Sequence, residues 1–268
     1  MRKAVPFLLL IILFAGAAWY SFMKPADPVS EIPSAQVTTP PSVVTQEAPL
    51  TGDDSALVEP AMDFEPVVIP PEPLPTLFES DPEVTQALAD IAGADALAEY
   101  LVMDQVVSRA VASIDSLTSR QVPVHINPIK PAGEKFITET EGERLVLSPR
   151  NFARYDGYVS LLQSMDTGSL MTFYERYSPL FQQAWEENGG TGSFSDRLLT
   201  VIDDLLETPD VAGPVYLTQY EAVYLFEIPE LEAMTAGQKV LVRMGSANAS
   251  VVKEKLMEFR AQLKARDG

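Results

Sequence analysis

The chain has 268 residues, no cysteine, a single histidine and a formal net charge of −19. Without cysteine it can form no disulfide, thiolate nucleophile, lipidated cysteine or Cys-ligated metal site. Acids outnumber Lys and Arg in every large region past residue 24, so the clustered cations that a phosphate-binding surface needs are missing. Nucleic acid is therefore not an expected partner.

An uncharged apolar stretch, residues 5–22, follows Arg2 and Lys3 and precedes Lys24. Roughly 20 apolar residues span a bilayer core, so this stretch predicts a transmembrane helix. The cations before it and the acidic tract after it place the N-terminus in the cytoplasm by the positive-inside rule. We therefore predict a single-pass anchor, residues 1–24, in the inner (cytoplasmic) membrane, with the C-terminal domain in the periplasm.

The same stretch has a second interpretation, a cleavable signal peptide with small residues at 15–17. Apolarity continues past this point through Trp19 and Tyr20, and aromatic residues beside a lysine are typical of a membrane interface. This continuation favours the uncleaved anchor. Both interpretations export the rest of the chain.

Residues 25–78 are rich in proline and acidic residues, and contain no Lys or Arg. Proline lacks the backbone donor that helices and sheets need, so we predict a disordered Pro-rich acidic linker with a polyproline bias. At ~3.1 Å per residue its fully extended length is on the order of 160 Å, which would hold the following domain well away from the bilayer. A Pro-rich ligand for a partner groove is the other interpretation.

Residues 79–268 predict a mainly α fold, a compact multi-helix domain with a small β-hairpin. Alternation over 136–148, centred on Glu141 and Gly142, indicates the hairpin. Pro179 interrupts one helical pattern and predicts a kink or two separate helices. An extended piece is expected at 215–217, followed by a region interrupted at Pro229. Apolar periodicity and capping residues predict helices from about Ser80, over 103–119, after Ser148-Pro149, over 168–188, from Ser193 to Thr208, and over 247–264.

Two sequence runs carry a resemblance to a known family: YERYSPLFQQAWEENGGTGSFSDRLLTVIDDLLETP at 174–209 and AGQKVLVRMGSANASVVKEKL at 236–256. They resemble the signatures of a bacterial family catalogued as domain of unknown function 3014, single-pass envelope proteins with no established activity. The resemblance extends from Leu74 to the C-terminus and includes RYDGYVSLLQSMD at 154–166. Residues 188–192 depart from it, because the family tends to carry a Tyr-Pro-containing turn there. The resemblance implies an architecture and a compartment, but no reaction.

Few residues suggest catalysis. The single histidine, His125, lies in a Pro-bounded extended segment, where packing or exposure explains it as well as chemistry does. Asp196 and Asp203 lie two turns apart on one helix, the spacing of a potential carboxylate pair for glycan hydrolysis. The alternative is that Asp196 favours the helix start and Asp203 occupies a solvated face. We predict no catalytic residue, no metal site and no cofactor.

Aromatic, arginine and amide side chains on the helix around Pro179 are typical of a recognition surface. The alternative is that the tyrosines and the nearby Trp185 belong to the core, and that the arginines and Gln183 make structural hydrogen bonds. The candidate interaction surface comprises Tyr174, Arg176, Tyr177, Gln182, Gln183, Asp196, Arg197 and Asp203.

Two functions remain. The favoured one is a membrane-tethered, non-catalytic envelope protein whose helical domain docks on another envelope protein. The second is a tethered cell-wall glycan hydrolase or binder that uses carboxylates and aromatic side chains. The predicted partners are the membrane, through residues 5–22, and an envelope protein.

Overall fold

The structure, a computed structural model, describes residues 73–120, 122–123, 126–130, 135–221 and 223–267. The predicted anchor, the predicted linker up to residue 72 and His125 lie outside these ranges. The described residues from Leu74 onward belong to one structural unit. Among them, no helix has both the length and the apolar character that a membrane span requires.

Three helices open the domain, after a short 3₁₀ helix at Leu77–Glu79. They are α1 (Asp81–Ala92), α2 (Ala94–Tyr100) and α3 (Val106–Ser116). A proline in its first turn starts α1, and Gly93 ends it with a φ of 86° that favours glycine. The sequence predicted α1 and α3, but it missed the short α2.

The middle of the domain contains a 3₁₀ helix, Pro149–Tyr155, followed by α4 (Asp156–Gln163), α5 (Thr167–Glu187) and α6 (Phe194–Leu206). Ser148 caps the 3₁₀ helix, since its side chain accepts from the Arg150 backbone N–H. Ser193 similarly caps α6 by accepting from Ser195. Both caps were predicted, although the segment after Ser148 begins as a 3₁₀ rather than an α-helix.

Helix α5 is continuous through Pro179, so of the two predicted alternatives, a kink and two separate helices, the second is wrong. Proline cannot donate to the carbonyl four residues earlier, which belongs to Glu175. The Ser178 hydroxyl donates to this carbonyl oxygen at 3.1 Å instead. Burial of the apolar face, including Tyr174 and Phe181, favours the helix on both sides of the proline.

The C-terminal part consists of α7 (Pro229–Glu232), α8 (Ala236–Arg243) and α9 (Ser246–Asp267). A capping box of Thr235 and Gln238 begins α8. The predicted last helix is confirmed as α9. The sequence predicted only a region interrupted at Pro229 and missed α8.

A four-stranded antiparallel sheet, in the order β1-β2-β3-β4, extends the predicted hairpin. The strands are β1 (Thr138–Glu141), β2 (Arg144–Leu147), β3 (Tyr216–Tyr220) and β4 (Val223–Phe226). The hairpin of β1 and β2 is confirmed, with Glu141 opposite Arg144 across the turn. The extended piece at 215–217 is the start of a second hairpin, in which Tyr220 lies opposite Val223.

The apolar side chains form two clusters. The larger is helical and joins α1–α6, α8 and α9, with Val111, Ile114, Leu162, Leu170 and Phe259 completely or almost completely buried. The smaller lies under the sheet and contains Leu147, Val215, Leu217, Phe226, Leu231 and Val242. The domain is thus a mainly helical body that carries a small sheet.

Candidate interaction site

Two of the predicted surface residues lie inside the domain. Tyr174 is 1% exposed and Tyr177 is 4% exposed. The Tyr174 hydroxyl lies 2.7 Å from Ser195 Oγ, and the Tyr177 hydroxyl donates to Glu83 Oε1 at 3.0 Å. Burial and this hydrogen bond raise the pKa of Tyr177 to about 12. Both rings therefore pack the core, and their hydroxyls tie α5 to α6 and α1.

Gln182 holds the turn between α5 and α6. Its amide nitrogen donates to the Gly192 carbonyl at 3.1 Å, and its oxygen accepts from the Phe194 backbone N–H at 2.8 Å. The neighbouring Gln183 is exposed and donates to Glu187 Oε1 at 2.9 Å. Gln183 thus remains available at the surface, while Gln182 has a structural role.

The two arginines join separate helices. Arg176 forms an ion pair with Glu83 of α1 at 3.3 Å. Arg197 forms one with Asp115 of α3 at 2.6 Å and donates to its backbone carbonyl at 2.9 Å. Since each pair crosses between helices far apart in sequence, both arginines position elements of the fold.

The two aspartates of α6 differ in their surroundings. Asp203 is paired with Arg260 of α9, with 2.5 Å between Oδ1 and Nε. Asp196 lies exposed in the first turn of α6, where a carboxylate favours the helix N-terminus. In the described part of the chain, no group of three or more His, Asp or Glu residues could hold a metal ion.

Gln183 lies beside a cleft of about 370 Å³ at the start of the domain. We call it the N-terminal cleft. Its walls come from the first 3₁₀ helix, the start of α3 and the end of α5. The lining residues are Thr76, Leu77, Phe78, Asp81, Asp104, Gln105, Val107, Ser108, Gln183 and Glu187.

One wall of the N-terminal cleft is fixed by an unusual cap. The Asp81 carboxylate accepts from the backbone N–H groups of Gln105 and Val106, at 2.7 and 2.8 Å. The first N–H groups of a helix have no partner within the helix, and Asp81 supplies one at the start of α3 although it lies 24 residues before Gln105 in the chain. Gln105 has a φ of 52°, a left-handed conformation that costs a non-glycine residue roughly 1–2 kcal/mol. Two charge-assisted hydrogen bonds offset this strain.

Phe78 stands at the edge of the N-terminal cleft with 92% of its surface exposed. Large aromatic side chains contribute most to protein interfaces when they insert into a partner. Asp104 and Glu187 add carboxylates to the cleft, and Asp104 lies 3.3 Å from Arg109. An aromatic anchor beside amides and carboxylates is suited to bind a protein segment.

Sequence reasoning selected Gln183, which lines this cleft, but it missed the lining residues Phe78 and Asp81 and the nearby Glu83. Phe78 fell within the predicted linker, and the two acids were interpreted only as a helix start. Their spacing, on either side of Pro82, indicated α1 correctly. Nothing in the sequence marked the distant groups that donate hydrogen bonds to these acids, since those groups lie at the start of α3 and on α5.

The sequence model of one protein family, described as "Protein of unknown function (DUF3014)", matches residues 106–260. The match covers α3 through most of α9 and includes Gln183. No curated protein and no solved structure matches the chain.

Proposed function

The chain belongs to the DUF3014 family, whose function is unknown, and we propose that it is a membrane-tethered, non-catalytic envelope protein that docks on another envelope protein. The docking site in this proposal is the N-terminal cleft. The observation that carries it is Phe78, 92% exposed beside a cleft of which one wall is held by the Asp81 cap. A concave surface with one exposed aromatic residue at its edge suits protein recognition.

The position of Phe78 in the chain supports the same function. It lies at the point where the predicted linker meets α1, so a partner bound there would contact the domain next to its tether. Helix α1 is held to α5 at this junction, because the Glu83 carboxylate accepts hydrogen bonds from both Arg176 and the Tyr177 hydroxyl. We infer that the anchor and linker bring the N-terminal cleft within reach of a partner in the periplasm.

The alternative of a glycan hydrolase or binder has less support. Its candidate carboxylate Asp203 is paired with Arg260, and the candidate tyrosines are buried. A glycosidase needs two carboxyl groups that face the substrate, and a glycan binder needs exposed aromatic faces. The contacts of these side chains favour structural roles.

The docking proposal predicts that Phe78→Ser releases a co-purifying partner. Full-length protein is purified from detergent-solubilised membranes, and the recovered envelope proteins are quantified. Recovery of the partner is expected to fall about tenfold or more, because an aromatic anchor contributes roughly 2 kcal/mol to binding. Met257→Ser is the matched control, since Met257 is 52% exposed on α9. Equal recovery with Phe78→Ser and with the control would contradict the proposal.

The proposed topology predicts that a reporter enzyme active only outside the cytoplasm is active when fused after Gly268. A second reporter, active only in the cytoplasm, should be inactive at the same position. A stable fusion with the opposite pattern would overturn the periplasmic location of the domain.

A further inference from the structure

The outer face of the sheet carries several apolar side chains. Side chains alternate along a strand, and Leu145, Leu217 and Phe226 align across three strands on the face toward the smaller apolar cluster. Their neighbours along each strand therefore point the opposite way. We call this opposite side the outer sheet face, and its apolar members are Val146, Tyr216, Tyr220, Val223 and Leu225.

These outer residues form a stripe across β2, β3 and β4, which the exposed Thr218 interrupts between Tyr216 and Tyr220. Val146 lies directly opposite Tyr216, and Tyr220 lies directly opposite Val223. Tyr220 is 64% exposed, and the other four are partly exposed. Single exposed apolar residues are common on protein surfaces, but contiguous ones mark interaction sites.

Acidic residues border the stripe. Glu139 and Glu141 lie on β1 on the same face, and Glu227 follows β4. The nearby cation, Arg144, is already engaged: it pairs with Glu227 at 2.9 Å and stacks 3.3 Å from the centre of the Tyr216 ring. The Tyr216 hydroxyl in turn donates to Glu141 at 2.9 Å. The border therefore presents more negative than positive charge.

A groove of about 470 Å³ lies along the β1 side of the sheet. The groove is shared between Glu139, Glu141 and Val146 of the outer sheet face and residues beyond that face, namely Thr140, Leu147, Pro149, Phe152, Gly213, Pro214 and Val215. Apolar side chains and acids thus occur within one concave surface. Such a surface accepts a chain segment that carries both apolar groups and cations.

The β4 edge of the sheet limits how a partner can bind. Phe226 donates its backbone N–H to Glu232 Oε2 of α7 at 2.9 Å, so this edge is engaged where an added strand would pair. At Phe226 this contact opposes the addition of a strand and favours binding through side chains on the outer sheet face.

We propose that the outer sheet face binds a cationic amphipathic segment of a partner protein. Its apolar side chains contact Val146 and Leu225, and its Lys or Arg side chains face Glu139, Glu141 and Glu227. The acidic border repels an anionic membrane surface, so the occupant is a protein segment. The site shares no residue with the N-terminal cleft, and the inference does not rest on docking there.

The test measures binding of a labelled synthetic peptide of alternating Lys and Leu to the full-length protein in nanodiscs of uncharged lipid. Fluorescence anisotropy at physiological salt gives the dissociation constant. Leu225→Thr retains strand propensity and should weaken binding at least fivefold, while Glu141→Gln should weaken it two- to threefold. Met257→Thr and Glu254→Gln, both on exposed positions of α9, are the matched controls and should leave binding within twofold.

Three results would overturn the proposal. One is no measurable binding of the peptide at millimolar concentration. Another is an equal loss with the α9 controls, which would mean that net charge alone attracts the peptide. The third is equal binding of a peptide of alternating Glu and Leu. Unfolding curves for each variant in the same nanodiscs verify that a lost interaction is not a lost fold.

Discussion

Asp204 joins α6 to the start of α8 through its side chain and its backbone. Thr235 Oγ1 donates to the carboxylate at 2.8 Å, and Gln238 Nε2 donates to the Asp204 carbonyl at 2.8 Å. Both donors also form the capping box of α8. Burial raises the pKa of Asp204 above its usual value, although the Thr235 hydrogen bond opposes this effect.

A raised pKa makes the contribution of Asp204 to stability depend on pH. Because the folded state holds the proton more tightly than the unfolded chain, stability falls as the pH rises from the ordinary value of 3.8 through the raised one. We predict that Asp204→Asn, which cannot ionise, gains stability relative to the parent protein over this pH range. Urea unfolding between pH 3 and 7 measures the difference.

Asp210→Asn, at an exposed position, is the control for this experiment. At neutral pH the Asp204 variant should lie within about 1 kcal/mol of the parent protein, because the asparagine oxygen still accepts from Thr235. The prediction is contradicted if the difference in unfolding free energy between Asp204→Asn and the parent protein does not change with pH, or changes in the opposite direction. Burial would then not govern the ionisation of Asp204.

At the scale of elements, α8 begins where α3 ends. The backbone N–H groups of Ala236 and Gly237 donate to the carbonyls of Ser119 and Leu117, at 2.7 and 2.9 Å. Backbone N–H groups at the start of α8, which have no partner within their own helix, thus donate to carbonyl groups at the end of α3. This contact requires a close approach, and Gly237 has no side chain to prevent it.

Gly237→Ala should therefore destabilise the domain although alanine favours helices. Its Cβ would lie 2.5 Å from Leu205 Cδ2 and 3.3 Å from the Leu117 carbonyl oxygen. We expect a loss of about 1–3 kcal/mol in the free energy of unfolding, measured in urea. Gly168→Ala, near the start of α5, is the control: its Cβ would meet only the Asp166 carboxylate, at 3.3 Å, and the variant should lie within about 1 kcal/mol of the parent protein. A stabilised Gly237→Ala variant would mean that the helices separate without cost.

The sequence predicted elements best where caps and apolar stripes agree, as in α6 between Ser193 and Thr208. It missed α8 because Lys239 and Arg243 are nearly fully buried and break the apolar pattern. Lys239 is paired with Glu232, and Arg243 lies 5.1 Å from the centre of the Phe226 ring. Buried cations are compatible with a core only through such partners, which no local pattern reveals.

The second hairpin was missed for a comparable reason. Its turn places Glu221 in a left-handed conformation, with a φ of 51°, where glycine or asparagine is the usual signal. Of the residues that line the N-terminal cleft, Gln183 is the one that the sequence analysis had selected as a candidate. Helical spacing finds aromatic residues on one face, but it cannot distinguish a buried face, such as that of Tyr174 and Tyr177, from an exposed one.

At the scale of the whole molecule, the proposed function combines a tether with an acidic domain. The formal charge of −19 opposes close contact with anionic lipid, and the predicted linker supplies the reach. Both properties would keep the domain free to meet a protein partner. Within the domain, Phe78 marks the surface for that encounter in our proposal.

Site-specific photo-crosslinking tests this central claim most directly. A photoreactive phenylalanine analogue replaces Phe78 in the full-length protein in living cells, and position 257 carries the same analogue as a control. The account predicts one discrete crosslinked species at position 78, formed with an exported envelope protein, and none with that protein at position 257. Three results would contradict it: no crosslink at position 78, a crosslink there to a cytoplasmic protein, or the same crosslinks at positions 78 and 257.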